Sequence, residues 1–257
     1  MSPARNNRRR YRRRGRFGFL YKMLAVIAVA AAVLVGATVF FRVEEVVVAG
    51  GVRYSAQQVI DASGVVQGDN LFGMNKFDTA RRIRRLLPYV EGVNIRRGWP
   101  DTLIITVNEC RPAARLPAEE GEWLISKSGK LLELVEQADS GVIRVDGLHA
   151  VQPESGLPLV VREGQQVRCD GMLALLQNLE HYGILEKVSW IDLTSASRIL
   201  MDYDGRFTVK LPYGADYDFK MMALRAYLAE DAIQDNMTGT FDMQTDEDET
   251  YFKPNVR

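Results

Sequence analysis

Met23-Leu-Ala-Val-Ile-Ala-Val-Ala-Ala-Ala-Val-Leu-Val-Gly-Ala-Thr-Val-Phe-Phe41 is a run of 19 residues without a charge. At the helical rise it reaches about 28 Å, close to the ~30 Å hydrocarbon thickness of a bilayer. In lipid such a run must be helical, because only a helix satisfies its own backbone polar groups there. The sequence therefore predicts a membrane span from Met23 to Phe41, with a polar chain on either side.

The two flanks differ in charge. Residues 1–22 hold nine basic residues and no acid: Arg5, Arg8, Arg9, Arg10, Arg12, Arg13, Arg14, Arg16 and Lys22. The whole chain has 33 basic and 33 acidic residues, so removing nine leaves 24 basic against 33 acidic after the tail. Basic residues beside a span stay in the cytoplasm, which places the amino terminus inside and residues 42–257 outside. A cleaved signal peptide is the rival reading. The apolar run exceeds a usual signal core, although Gly36-Ala37-Thr38 offers a small-residue step. The arginine tail reads as an orientation signal that binds anionic lipid rather than a nucleic-acid arm.

Immediately after the span, Val43 to Val48 reads as a strand ended by Gly50-Gly51. Ser55-Ala-Gln-Gln58 fits a capping box, with Ala56, Val59 and Ile60 on one face and Gly64 as the stop. A loop from Val65 to Asn75 follows. Asp78 is the expected cap of a second helix, with Ala80, Ile83, Leu86 and Leu87 facing inward and Arg81, Arg82, Arg84 and Arg85 outward until Pro88. That arginine face reads as solvated, since no aromatic residues interleave it. Val93 and Ile95, then Leu103, Ile105 and Val107, alternate around a turn at Arg97–Asp101, as half-buried strands do. The order is β-α-α-β-β.

Farther on, Trp123–Ile125 and Leu131–Val135 flank Lys127-Ser-Gly-Lys130 as a hairpin. Val142–Val145 and Val188–Leu193 read as strands, and residues 146–164 mostly as loop. Asp170 is the expected cap of a helix carrying Leu173, Leu176 and Leu179, with Gly183 as its stop. Asp204-Gly205 between two apolar runs is a strong hairpin signal. Asp216 caps a helix with Met221, Leu224 and Leu228. The end offers Thr240–Met243, the acidic run Asp246–Glu249, and a last strand with Thr250-Tyr251-Phe252-Lys253 before Pro254.

The β-α-α-β-β order behind a single span resembles a POTRA domain. Trp99-Pro-Asp-Thr-Leu103, then Ile105, Val107, Glu109, Pro112 and Ala114, is similar to the junction motif of the FtsQ/DivIB family of bacterial cell-division proteins. Cys110 stands after the glutamate where a basic residue is common. Trp123–Leu131, Trp190-Ile-Asp-Leu193, Leu211-Pro-Tyr-Gly214 with Lys220, and Gly239–Met243 before Tyr251-Phe252 resemble the family's β-domain in the same order. The resemblance implies an α+β fold in four parts: a cytoplasmic tail (1–22), a transmembrane helix (23–41), a POTRA domain (42–112) and a β-domain (113–257). It implies a divisome scaffold at the septum of the plasma membrane. Its partners would be single-span division proteins of the FtsB/DivIC and FtsL type, acting together on septal peptidoglycan synthesis. In that family the POTRA domain aids recruitment and the end of the β-domain binds the FtsB/DivIC-type partner. The physical counterpart here is the last strand, which can serve as an open sheet edge limited by Pro254. Tyr251 and Phe252 are the expected anchors, with Thr250, Lys253, Pro254 and Tyr213 assisting. By alternation, one of the two aromatics should point into the core.

Little in the chain speaks for catalysis, a metal or a cofactor. The two histidines, His149 and His181, and the two cysteines, Cys110 and Cys169, show no short metal-binding spacing. Cys169 with His181 would suggest a thiol nucleophile, but they stand at opposite ends of one helix, roughly 18 Å apart. The cysteines read as two separate thiols, with a Cys110–Cys169 bond as the lesser alternative. Asp202-x-Asp204 lacks a calcium loop's third ligand because residue 206 is Arg, and Asp246–Glu249 reads as a solvated turn. The competing functions are a membrane-anchored cell-wall hydrolase or transpeptidase, which would need a nucleophile beside a base, and a POTRA-bearing translocation component, which would need more POTRA units or a barrel.

Overall fold

The structure is a computed structural model. It describes residues 17–255 apart from 120, 138–140, 230–232, 235 and 246–249. The tail arginines Arg5 to Arg16 and the acidic run Asp246–Glu249 therefore lie outside the described residues.

The chain begins with helix α1, Phe17–Phe40, which is 24 residues and about 36 Å long. It starts six residues before the expected boundary, since nothing from Phe17 to Lys22 breaks a helix. It ends one residue early because the Phe41 carbonyl accepts from the Leu71 amide (2.9 Å) instead of continuing the helix. The side chains of Leu34 and Ala37–Val39 lie outside the described set, and among the described residues no helix is long and apolar enough to cross a membrane.

Strand β1 (Glu45–Ala49), helices α2 (Ala56–Ser63) and α3 (Lys76–Leu86), and strands β2 (Val90–Gly98) and β3 (Thr102–Glu109) form the first layer pair. The sheet order is β1-β3-β2, with β1 parallel and β2 antiparallel to β3. Val43, Val59, Ile83, Ile95, Leu103, Ile105 and Val107 fill the space between sheet and helices. The capping box forms as expected: Ser55 Oγ accepts from the Gln58 amide and Gln58 Oε1 from the Ser55 amide. Two details differ from the sequence reading. The inward face of α2 is Val59, Ala62 and Ser63, leaving Ala56 exposed. The cap of α3 is Asn75, whose side chain accepts from the Phe77 amide, while Asp78 sits in the first turn and accepts from Asn75 Nδ2 (2.6 Å). Leu86 is exposed, while Thr79 and Ile83, one turn apart, lie inside.

The rest builds one sheet. Its strands are β4 (Ala114–Pro117), β5 (Glu122–Ile125), β6 (Leu131–Val135), β7 (Ile143–Asp146), β8 (Trp190–Asp192), β9 (Arg198–Tyr203), β10 (Phe207–Pro212), β11 (Gly239–Asp242) and β12 (Tyr251–Pro254). Their order is β12-β11-β10-β9-β8-β7-β4-β5-β6. Helices α4 (Gln166–His181) and α5 (Tyr217–Leu228) bury Met172, Leu175, Leu176, Leu179, Met221 and Leu224 in its core. Strand β4, hidden by the charges and prolines around it, had no sequence signal. Helix α4 starts at Gln166 without a side-chain cap; Asp170 lies in its second turn and accepts from Gln166 Nε2.

The two sheets meet through polar contacts that are at most partly buried. Lys130 Nζ donates to the carbonyls of Arg84 (2.6 Å), Val90 (2.8 Å) and Leu87 (3.5 Å), so a lysine of the second sheet caps the carboxyl end of α3. Tyr89 donates its hydroxyl to Glu133, and its ring packs with Leu124 and Leu132.

Candidate partner-binding edge

The β9–β10 hairpin turns at Asp204 and Gly205, both with positive φ (60° and 65°), the geometry that its Asp-Gly pair favours. From β10 the chain crosses over through α5 and returns as β11, parallel to β10. Asp216 caps α5 by accepting from the Phe219 amide. Buried Lys220, one turn into α5, donates to the Thr245 carbonyl (3.0 Å) and so holds the segment that follows β11. The chain then doubles back as β12, antiparallel to β11 and last in the sheet.

Register decides what this edge offers. Phe241 pairs with Phe252 and Asp242 with Tyr251. The Asn255 amide donates to the Thr238 carbonyl (2.9 Å), so the bonded pairs are those in phase with residue 255. Phe252 is out of phase, and its N–H and C=O point away from β11, to the side of the sheet where no strand stands among the described residues. Pro254, in the same phase, presents only a carbonyl.

The two aromatics separate as alternation requires. The Phe252 ring turns inward, 4.8 Å from the Phe241 centroid and 6.0 Å from that of Phe207. Gly239 makes room for it: a Cβ there would stand 2.6 Å from both the Phe252 ring and the Lys253 carbonyl. Tyr251 projects to the opposite face and is 51 % exposed. Beside it the register places Asp242 and then Lys210, with Thr240 and Lys253 two pairs along on the same face. The Gln244 side-chain amide, above all, holds the Asp242 carboxyl below its usual range, and Lys210 and Lys253 add to this against the effect of burial. The open side of the edge is thus one exposed tyrosine on a ladder of paired polar side chains.

Tyr213 has a different setting. Its hydroxyl donates to the carbonyls of Ser195 (3.1 Å) and Leu193 (3.4 Å), and its ring lies against Gly171 of α4. Its contacts brace the end of β10 rather than β12. Thr240 and Asp242 were missed as edge residues, because a register between β11 and β12 cannot be seen before the strands pair.

The residues suspected of chemistry lie apart. Cys169 is buried in the first turn of α4, and burial pushes its thiol up to about 11. Burial, with the Glu91 carboxylate nearby, pushes the Cys110 thiol up to about 12. Both stay protonated at neutral pH and both are free. His181 ends α4, and His149 lies near Gln165. Among the described residues no group of three or more His, Cys, Asp or Glu side chains could hold a metal ion.

Residues 41–109 match the family model of the POTRA domain, FtsQ-type. The chain is similar to the cell division protein FtsQ of Corynebacterium glutamicum, at 26% identity over 65% of this chain and 80% of that protein. It is similar to the cell division protein DivIB of Clostridium botulinum (strain Loch Maree), at 25% identity over 79% of this chain and 78% of that one. FtsQ of Streptomyces bingchenggensis is 32% identical over 40% of this chain and 39% of its own length. A solved structure, the major extracytoplasmic domain of DivIB from Geobacillus stearothermophilus, matches over 48% of this chain and 93% of its own at 16% identity, with a TM-score of 0.31.

Proposed function

We propose that this relative of the FtsQ and DivIB cell-division proteins is a non-enzymatic scaffold of the division machinery. Its strand β12 would be the docking edge for a single-span division protein of the FtsB/DivIC type, with an FtsL-type protein completing the assembly. Met23–Phe41, all but its last residue in α1, is the single membrane span. Its arginine tail (Arg8, Arg9, Arg10, Arg12, Arg13, Arg14, Arg16) stays in the cytoplasm. The POTRA domain, residues 42–112, and the β-domain, residues 113–257, stand outside, at the septum. The charge-free sequence from Met23 to Phe41, whose length at the helical rise matches a bilayer's hydrocarbon core, supports the span.

The observation that carries the docking role is the unpaired edge: Phe252 aims its N–H and C=O outward from the end of a nine-stranded sheet. A partner strand would take those bonds, and Tyr251 would give side-chain contact on the open face. Thr250, Lys253 and Pro254 bound the segment, and Tyr213 supports it by bracing β10. The enzymatic alternative would begin from Cys169, which is buried and protonated.

The test is binding of the partner's extracytoplasmic segment to the full chain and to a variant lacking residues 251–254. The reading expects loss of binding with the rest of the protein folded. Unchanged affinity in the folded deletion variant contradicts it.

A further inference from the structure

At the foot of the small domain the rings of Phe40, Phe41, Phe72 and Trp99 stack edge to face. Centroids are 5.2 Å apart for Phe40–Phe41, 5.1 Å for Phe41–Phe72, 5.1 Å for Phe41–Trp99 and 5.7 Å for Phe72–Trp99. These rings come from three places: the residues leaving α1, the loop before α3, and the tip of the β2–β3 hairpin. Backbone bonds hold them together. The Leu71 amide donates to Phe41, the Val43 amide to Asp69, and the Glu44 amide to Asp101. Arg97 packs over Phe72 (5.1 Å) and donates to the Leu71 carbonyl (2.5 Å).

The cluster is nevertheless open. Trp99 is 71 % exposed and Phe72 48 %. Two large aromatics held in solvent at one end of a small domain call for a cover. Position supplies the candidate: Phe41 directly follows α1 and touches both Trp99 and Phe72. Wherever α1 leaves the bilayer, these rings lie one ring-width away. An amphipathic indole suits that boundary, where aromatic belts concentrate. The charges around the cluster (Arg42, Glu44, Glu45, Asp69, Asp101) are of both signs, so insertion rather than attraction to anionic lipid is the fitting interaction.

We infer that Trp99 and Phe72 form an aromatic seat that inserts into the interfacial layer of the bilayer and sets the small domain's tilt on the membrane. The inference rests on the reading of α1 as a span, and the test separates the two. The full chain is placed in phosphatidylcholine nanodiscs whose acyl chains carry bromine either near the headgroup or near the chain end. The difference in emission between the wild type and Trp99→Phe isolates Trp99. A second variant, Val29→Trp, reports on mid-helix depth. Trp99 should lose more emission to the shallow bromines than to the deep ones, as an interfacial tryptophan does. It should lose little to the deep ones, with no change in high salt, while Val29→Trp is quenched by the deep ones. Quenching of Val29→Trp with none of Trp99 overturns the seat and leaves the span. Quenching of neither removes the span and the seat with it.

Discussion

Tyr251 and Phe252 are neighbours in sequence with opposite tasks, and substitutions should separate them. Tyr251→Ala removes an exposed ring, so melting should hold while partner affinity falls about tenfold, or about 1.4 kcal/mol. Phe252→Ala empties a partly buried seat against Phe241 and Phe207. It should cost about 2 kcal/mol of stability, less than the 3–5 expected for a fully buried Phe, as read by denaturant unfolding. Glu109 is a residue-scale case with a pH signature. The backbone amide of Val52 above all, with those of Arg53 (2.8 Å) and Tyr54, holds its carboxyl below the ordinary glutamate value. A depressed folded pKa means the unfolded chain takes up its proton first. The contribution is therefore present above about pH 4.5 and lost as pH falls through the folded value. Glu109→Gln should flatten the loss of stability below pH 4.5 in acid titrations of unfolding; an unchanged slope would show that other carboxylates govern it.

At the scale of elements, β12 depends on Gly239. A Cβ at that position meets the Lys253 carbonyl, a backbone atom, so the strand itself must shift. Gly239→Ala should release β12 and cut partner binding while the rest of the sheet keeps its amide-exchange protection. Exchange is the direct readout, and unchanged protection of the Lys253 and Asn255 amides in the variant would refute the steric account. Much of this level was legible beforehand. Alternation gave β3, the Asp204-Gly205 pair gave its hairpin, and Ser55 with Gln58 gave a capping box, because each signal is local. What failed was also local chemistry with a close competitor. Asn75 stands three residues before Asp78 and captures the cap, and α4 starts at Gln166 without needing Asp170. Strand β4 exists only because β5 and β7 flank it, and no property of Ala114–Pro117 alone announces that. Of the candidate site, the edge position of the last strand was legible from its nearness to the terminus. The inward turn of Phe252 and the Asp242–Lys210 ladder required the register.

Across the whole molecule, the two sheets are joined by groups that sequence patterns cannot pair. Lys130 reads as a turn residue, yet its ammonium serves three carbonyls at the end of α3 and the start of β2. Lys130→Met should leave those carbonyls without their donor and cost about 2 kcal/mol, within the range for a bond to a charged group. Crosslinking or small-angle scattering should show the POTRA domain loosened from the β-domain; an unchanged relative position would assign the coupling to Tyr89 and its apolar neighbours instead. Such a rigid link suits a scaffold, which must present its edge strand at a fixed distance from the membrane. The most direct test of that scaffold role is the position of an amino-terminal fluorescent fusion in growing cells. The account predicts a band at mid-cell that narrows with the closing septum. An even halo, unchanged through division, would contradict it.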